Sequence, residues 1–397
     1  MHIKLLFLIS LISVVKMSSA SPLYSNDLLL LNKHFEPVEL TNTHGKVIVL
    51  PELQGRVMVG AFSLEPQHSL YDQSIGWIHR EYLTTKHTNP NQAIGGSTRL
   101  WFAPEKGPHA IFFAPEHAQV PENIRVPDAI SMDEYEVLAK NNSEVSMRSQ
   151  AKILSHSNFV FEIEVLRTIT LFDETQILQS LEIEALDGIH VVGYQAKTQI
   201  SNIGADDWSP DTGMLSIWDL SAFAPSDKTT VIMPFKGKLK QPTTYFNDNV
   251  PTHFHIANNK LYYRADAKHM NKIGIPIENT LPYLGSYDAV RNLLTIVTFS
   301  FNQEDKYYNN SVWFEEGYEP YNGEAINLFN DGPLDDQPPF GPFYELETSS
   351  SAKPLKAGAS QQHIHRVYHL TGQRKALNKV SLAVLGVNLD TVEAVFK

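Results

Sequence analysis

The chain has 397 residues, 42% of them apolar, enough for a large packed core and too many for wholesale disorder. Its 44 acidic and 32 basic residues give a formal charge of −12, with no basic run of five or more, so nucleic acid is not expected as a partner. The lack of cysteine excludes disulfides, thiol nucleophiles and cysteine-linked lipids, and leaves core packing to hold the fold.

Residues 1–20, MHIKLLFLISLISVVKMSSA, carry Lys4, the apolar stretch Leu5 to Val15 and the small residues Ser18 to Ala20. That is the layout of an export leader cleaved after Ala20, and its apolar run is too short for a stable span. The mature protein is expected to be periplasmic or secreted, with no stable membrane anchor, and residues 21–397 to form one domain. Leu28 to Leu31 is a short apolar run, helical or extended. Residues 46–62, KVIVLPELQGRVMVGAF, predict two strands with a turn over Pro51–Gly55.

From Trp77 to Phe113 the sequence is rich in aromatics and loops. Trp77 and His79 come first, then Gly95–Gly96, then Arg99, Trp101 and Glu105. Paired glycines permit close backbone approach or positive φ. Aromatic faces against sugar C–H surfaces, with charged groups against hydroxyls, make a carbohydrate pocket. The same residues also suit a buried tryptophan and a surface ion pair. Residues 114–145 are polar, with three prolines, and read as a surface excursion. In 159–172, FVFEIEVLRTITLF, Phe159, Phe161, Ile163 and Val165 share one face and Glu162 and Glu164 the other, as in an antiparallel sheet with one solvated side.

More strands follow between 230 and 300, with a hairpin turn at Asn258–Asn259. Residues 302–343 read as a long loop region. No 15-residue amphipathic helix with caps stands out, so nearly the whole mature chain reads as antiparallel β. The stretch 344–372 organises the rest. Its first run places Tyr344, Leu346 and Thr348 on one face and Glu345 and Glu347 on the other. Its second places His363, His365, Val367 and His369 one way and Ile364, Arg366, Tyr368 and Leu370 the other. Two strands joined by a polar link make either an exposed hairpin or one wall of a cavity. His253/His255 and His363/His365 have the spacing of strand chelators, and with Glu347 the second pair would form a two-histidine, one-carboxylate site. Sixteen histidines scattered through the chain suit polar pocket or surface roles equally. Asp206–Asp207 and Asp335–Asp336 lack a full calcium loop around them. No metal ligand is assigned, and the nucleophile elbow, phosphate loop and dinucleotide fingerprint are absent, so no cofactor is expected.

The run LETSSSAKPLKAG (346–358) resembles the end of the galactose mutarotase (aldose 1-epimerase) superfamily. GGSTRLWFAPEKGPHAIFF (95–113) and SNIGADDWSPDTGMLSIWDLSAFAP (201–225) are similar to an uncharacterised bacterial family within it. The resemblance covers most of 45–395. It implies an all-β, galactose mutarotase-like β-supersandwich of antiparallel sheets and a carbohydrate ligand. It also implies a Gly-Gly loop lining the sugar site and a catalytic base at Glu347. The superfamily's acid is a histidine in a His-x-Tyr-Phe motif; here that place reads SIWDLSAF, which keeps Phe223 and has no histidine. His363 and His365 are the acids expected beside Glu347, with His79, His253 and His255 as further candidates. Arg99, Trp101, Glu105, Trp77, His79 and Arg366 are the expected sugar contacts. The expected function is an exported carbohydrate-active or carbohydrate-binding protein, as an epimerase of a free sugar or sugar derivative. A non-catalytic sugar binder, and a polysaccharide lyase or glycoside hydrolase on the same fold, are the alternatives.

Overall fold

The computed structural model describes residues 22–84, 93–312, 318–334 and 338–397. The expected leader lies outside them, as do Asp335 and Asp336. Helix α1 (Tyr24–Leu31) is followed by strands β1 (Val38–Thr41), β2 (Gly45–Leu50) and β3 (Arg56–Phe62). After α2 (Arg80–Thr84) come β4 (Arg99–Ala103), β5 (Glu136–Lys140), β6 (Glu144–Leu154) and β7 (Val160–Leu171), then α3 (Glu174–Leu181) and β8 (Ile189–Asn202). The run continues with β9 (Ser216–Phe223), β10 (Thr229–Pro234), β11 (Thr243–Thr244), β12 (Phe254–Ala257), β13 (Lys260–Arg264) and β14 (Asn271–Gly274). Next are β15 (Tyr283–Asp288), β16 (Leu293–Phe299), β17 (Ile326–Asn330), β18 (Tyr344–Ser349) and β19 (Ser360–Gly372), closed by α4 (Arg374–Val384) and α5 (Leu389–Ala394).

The first three strands form a small sheet. A ten-stranded sheet runs β12-β13-β10-β15-β16-β19-β8-β7-β6-β5, and a six-stranded one β11-β14-β17-β18-β9-β4. Their strand pairs are antiparallel. The two large sheets pack face to face over a core that includes Leu346, Ile217, Leu328, Val297 and Val367. Burying one such Leu or Val side chain is worth about 1.5–3 kcal/mol over leaving it exposed. The other face of the ten-stranded sheet is covered by helices: Ile177 of α3, Leu377 of α4 and Val392 of α5 pack with Ile296, Tyr368 and Leu370. Strand β19 is therefore buried on both sides from Val367 to Thr371, with His365 and Val367 toward the six-stranded sheet.

The core carries charge. Arg167 of β7 meets Asp219 of β9 at 2.9 Å, both fully buried, and also donates to Thr198 Oγ1 at 2.5 Å. Burial raises the Asp219 carboxyl above its usual range and Arg167 pulls against that rise.

Two expectations need correction. The chain is not almost wholly β, because α3, α4 and α5 back the large sheet. They are shorter than the 15-residue pattern sought, and their stability comes from the sheet they cover. The Asp173/Gln176 capping box that starts α3 is nonetheless written in the sequence. Strands β18 and β19 are also not a hairpin. β18 pairs with β17 and β9, β19 with β16 and β8, and the 350–359 link crosses from one sheet to the other. No helix among the described residues is long and apolar enough to cross a membrane.

Candidate functional site

Thr348 of β18 reaches the imidazoles of β19, so the alternation of the strand turns Glu345 and Glu347 to the outer face of the six-stranded sheet. Register decides their company. Glu347 lies between Leu220 of β9 and Asn327 of β17; Glu345 lies between Ala222 and Phe329. On β4, Arg99 opposes Leu220 and Trp101 opposes Trp218, while Lys272 of β14 opposes Phe329. One face thus gathers Arg99, Trp101, Trp218, Glu345, Glu347, Asn327 and Lys272.

The charged groups on this face are paired, while Arg99 Nε and Asn327 Nδ2 are buried without a hydrogen-bond partner. Trp218 Nε1–H donates to Glu347 Oε2 at 3.0 Å, and Lys272 Nζ stands 2.9 Å from the same oxygen. Two donors on one oxygen fix the orientation of this carboxylate. Arg99 donates to Glu345 Oε1 at 3.1 Å. Burial pushes the Glu345 carboxyl up to about 7; Arg99 pulls against the rise and Glu347 adds to it. Two carboxyls two residues apart on a strand, about 7 Å by the rise of the backbone, thus have different surroundings.

The cations also join an aromatic row. The Arg99 guanidinium lies 4.5 Å from the Trp101 ring centre, Trp101 meets Trp218 edge-on at 5.6 Å, and Lys272 Nζ is 4.2 Å from the Trp218 ring and 5.2 Å from that of Tyr245. Beyond Lys272, Glu324 accepts from Tyr245 Oη at 2.6 Å and from Thr243, and burial raises its carboxyl above the usual range.

The expected residues divide. Glu347, Arg99 and Trp101 share the face, and Trp101 is half-buried, its ring 5.2 Å from that of Phe112. Glu105 is half-buried in the segment following β4. Trp77 is bound to β9 through its N–H to Ala222 O, and its ring is stacked on Phe343 at 4.4 Å, so it closes one end of the face as packing. Gly95 and Gly96, at φ 83° and 119°, make that end possible: a Cβ on Gly95 would stand 2.2 Å from Trp77 O. His79 meets Trp77 edge-on and accepts the Tyr82 N–H at the start of α2.

His363, His365 and Arg366 lie elsewhere. Both imidazoles are wholly buried between the sheets, bonded to Thr348, on the other side of β18 from Glu347. The expectation that they stand beside Glu347 is corrected by the crossing of the 350–359 link. Arg366 projects from the opposite face of β19 and donates to Gln195, so two sheets separate it from the carboxylates. His253 pairs with Asp266 at 3.3 Å. Among the described residues no three His, Asp or Glu side chains converge as metal ligands. Lys272, Trp218, Glu324 and Tyr245 were not anticipated. The available signal was a lysine beginning the otherwise apolar strand KIGIPI, and a tryptophan two residues before Leu220, which stands where the superfamily has its histidine.

No curated protein matches the sequence. Among solved structures, a candidate aldose 1-epimerase from Escherichia coli K12 superposes with a TM-score of 0.51 at 9% identity, covering 85% of this chain and 99% of that one. A galactose mutarotase-like protein from Lactobacillus casei ATCC 334 gives 0.49 at 12% identity, covering 84% and 100%. The fold is the galactose mutarotase-like sandwich of antiparallel sheets. A family model spans residues 22–396, and by that match the chain belongs to the family of unknown function DUF6786.

Proposed function

We propose that the protein acts on the anomeric centre of a sugar, as an aldose 1-epimerase-like isomerase, with Glu347 as base and Glu345 as acid. The observation that carries this reading is the pair of carboxyls on one face of β18 in unlike environments. One is held by Lys272 and Trp218; the other is pushed by burial to about 7, where it keeps a proton near neutral pH. Leu220, three residues before Phe223, occupies the place of the histidine in a His-x-Tyr-Phe pattern and opposes Glu347. Leucine transfers no proton, and Glu345 is the second carboxyl on the same face of β18.

In this mechanism Glu347 takes the proton of the anomeric hydroxyl while Glu345 gives its proton to the ring oxygen. The C1–O5 bond breaks and the C1–O1 bond becomes a carbonyl. Rotation about C1–C2 presents the other face. Glu345 then withdraws the O5 proton as O5 attacks C1, and Glu347 returns its proton to O1, so both carboxyls recover their starting states. Trp101 supplies the apolar platform. The protein is further proposed to be exported, with its mature start at Ser21 and residues 21–397 as one domain, and an intact Met1 start in the soluble cytoplasmic fraction would end that part.

The test is anomer interconversion followed by NMR over a panel of free and derivatised sugars. Glu347→Gln should cut turnover about 10²-fold or more, the usual worth of a general base, and leave affinity little changed. Sugar binding without turnover in the native protein would instead support a binding protein. The ion pair that already occupies Glu347 Oε2 favours that second reading.

A further inference from the structure

We infer that His363 and His365 are positioning residues: both are held as Nε2–H tautomers in a one-directional hydrogen-bond chain that fixes β18 and β9 from behind. The functional part of this inference rests on the reading of Glu345 and Glu347 given above.

The chain has six links. Ser300 Oγ is 3.3 Å from His363 Nδ1, and His363 Nε2 is 2.9 Å from Thr348 Oγ1. Thr348 Oγ1 is 2.8 Å from His365 Nδ1, and His365 Nε2 is 2.8 Å from Ser221 Oγ. Ser221 Oγ faces Thr98 Oγ1 at 3.5 Å, and Thr98 donates to Ser97 O at 2.6 Å. Burial, aided by the nearby Arg167 charge, lowers His363 to about 3, and burial likewise lowers His365 well below its ordinary value, so both rings are neutral. A neutral imidazole donates at one nitrogen and accepts at the other, and a hydroxyl has a single proton to give.

The direction follows from proton counting. Thr98 has committed its proton to Ser97 O, so only Ser221 can place a hydrogen in the gap between them. Ser221 must then accept from His365 Nε2–H. His365 Nδ1 accepts from Thr348, which in turn accepts from His363 Nε2–H. His363 Nδ1 accepts from Ser300, whose oxygen also receives the Ile364 N–H at 2.9 Å. The reverse direction sets two oxygen lone pairs against each other at Ser221 and Thr98. The chain holds the strands where the carboxylates need them. Thr348 adjoins Glu347, and Ser221 stands between Leu220 and Ala222, the strand partners of Glu347 and Glu345.

The experiment uses the full mature chain with ¹⁵N-labelled histidine and tryptophan. At pH 7 both histidines should give the Nε2–H tautomer pattern; an Nδ1–H tautomer or an imidazolium at either position would overturn the chain. Thr348→Val keeps the shape and removes the central hydroxyl. Because Trp218 Nε1–H donates to Glu347, its indole resonance reports where that carboxylate stands. The resonance, assigned with Trp218→Phe, should shift in Thr348→Val and return in Thr348→Ser. An unmoved resonance in folded Thr348→Val would overturn the positioning role. Should Thr348→Val fail to fold, Ser221→Ala interrupts the chain at its far end and the same resonance is read. None of these readouts requires turnover. Loss of the epimerase reading leaves the tautomers to stand, and wrong tautomers leave Glu347→Gln to decide the chemistry.

Discussion

Replacing Glu345 by glutamine separates the buried acid from everything else that titrates in this protein. The folded carboxyl keeps its proton up to about 7, whereas the unfolded one loses it near 4.5. Between those values the folded state binds more protons. Its contribution to stability is therefore fully present below about pH 4.5 and is lost as pH rises through about 7. At 1.36 kcal/mol per pH unit, the rise from 4.5 to about 7 amounts to about 3 kcal/mol. Glu345→Gln keeps the size of the side chain and an acceptor for Arg99 and has no proton to lose. Whatever constant penalty the weaker Arg99 contact brings, the stability of the variant relative to the native protein should improve by about 3 kcal/mol from pH 4.5 to pH 8. Urea unfolding at several pH values, followed by tryptophan fluorescence and circular dichroism, measures the difference directly. Stability curves of the two proteins that stay parallel across this range would refute the assignment of a near-neutral acid to Glu345. If turnover is found, the alkaline fall of its rate near pH 7 should vanish in the same variant, with a lower plateau.

The other predictions concern neighbouring residues. Trp101→Ala should weaken the best-binding sugar by about 1–3 kcal/mol, the scale of one buried aromatic contact, as read by titration calorimetry; unchanged affinity in the folded variant would move the platform elsewhere. Arg167→Met leaves Asp219 buried without its partner, and should cost about 3–5 kcal/mol of stability. Because Arg167 pulls against the rise that burial imposes on Asp219, its removal raises that carboxyl further, so the loss should be larger at pH 8 than at pH 5, and an equal loss at both would contradict the pairing. N-terminal sequencing of the exported product should begin at Ser21.

Local geometry was legible in the sequence where one strand sufficed to state it. The buried Phe161, Ile163 and Val165 beside the less buried Glu162 and Glu164 follow directly from alternation, as does the split of Leu346 from Glu345 and Glu347. The Asn258–Asn259 turn forms as its residues require, both at positive φ. Sequence period does not reveal which strands become neighbours. Trp218 and Glu347 are 129 residues apart and meet only through sheet order. Lys272 arrives by the same route. The faces of His363 and His365 were also correctly separated from that of Arg366, but their company depended on whether the link after β18 turns back or crosses. A ten-residue polar segment is compatible with either. The helices were missed because each is short and amphipathic against a sheet, so its stability is tertiary and not intrinsic.

Strand β18 is written in two frames at once. Its odd positions, Glu345 and Glu347, spell the outer chemistry; its even positions, Tyr344, Leu346 and Thr348, spell the interior. Shifting the strand by a single residue against β9 and β17 would drive two carboxyls into the core and bring a leucine and a threonine out in their place. Side-chain substitutions on one frame leave the other readable, whereas a change of length garbles both. An insertion or deletion within β18 is therefore excluded, and the distance along the chain from Tyr344 to Ser349 is as fixed as any residue within it.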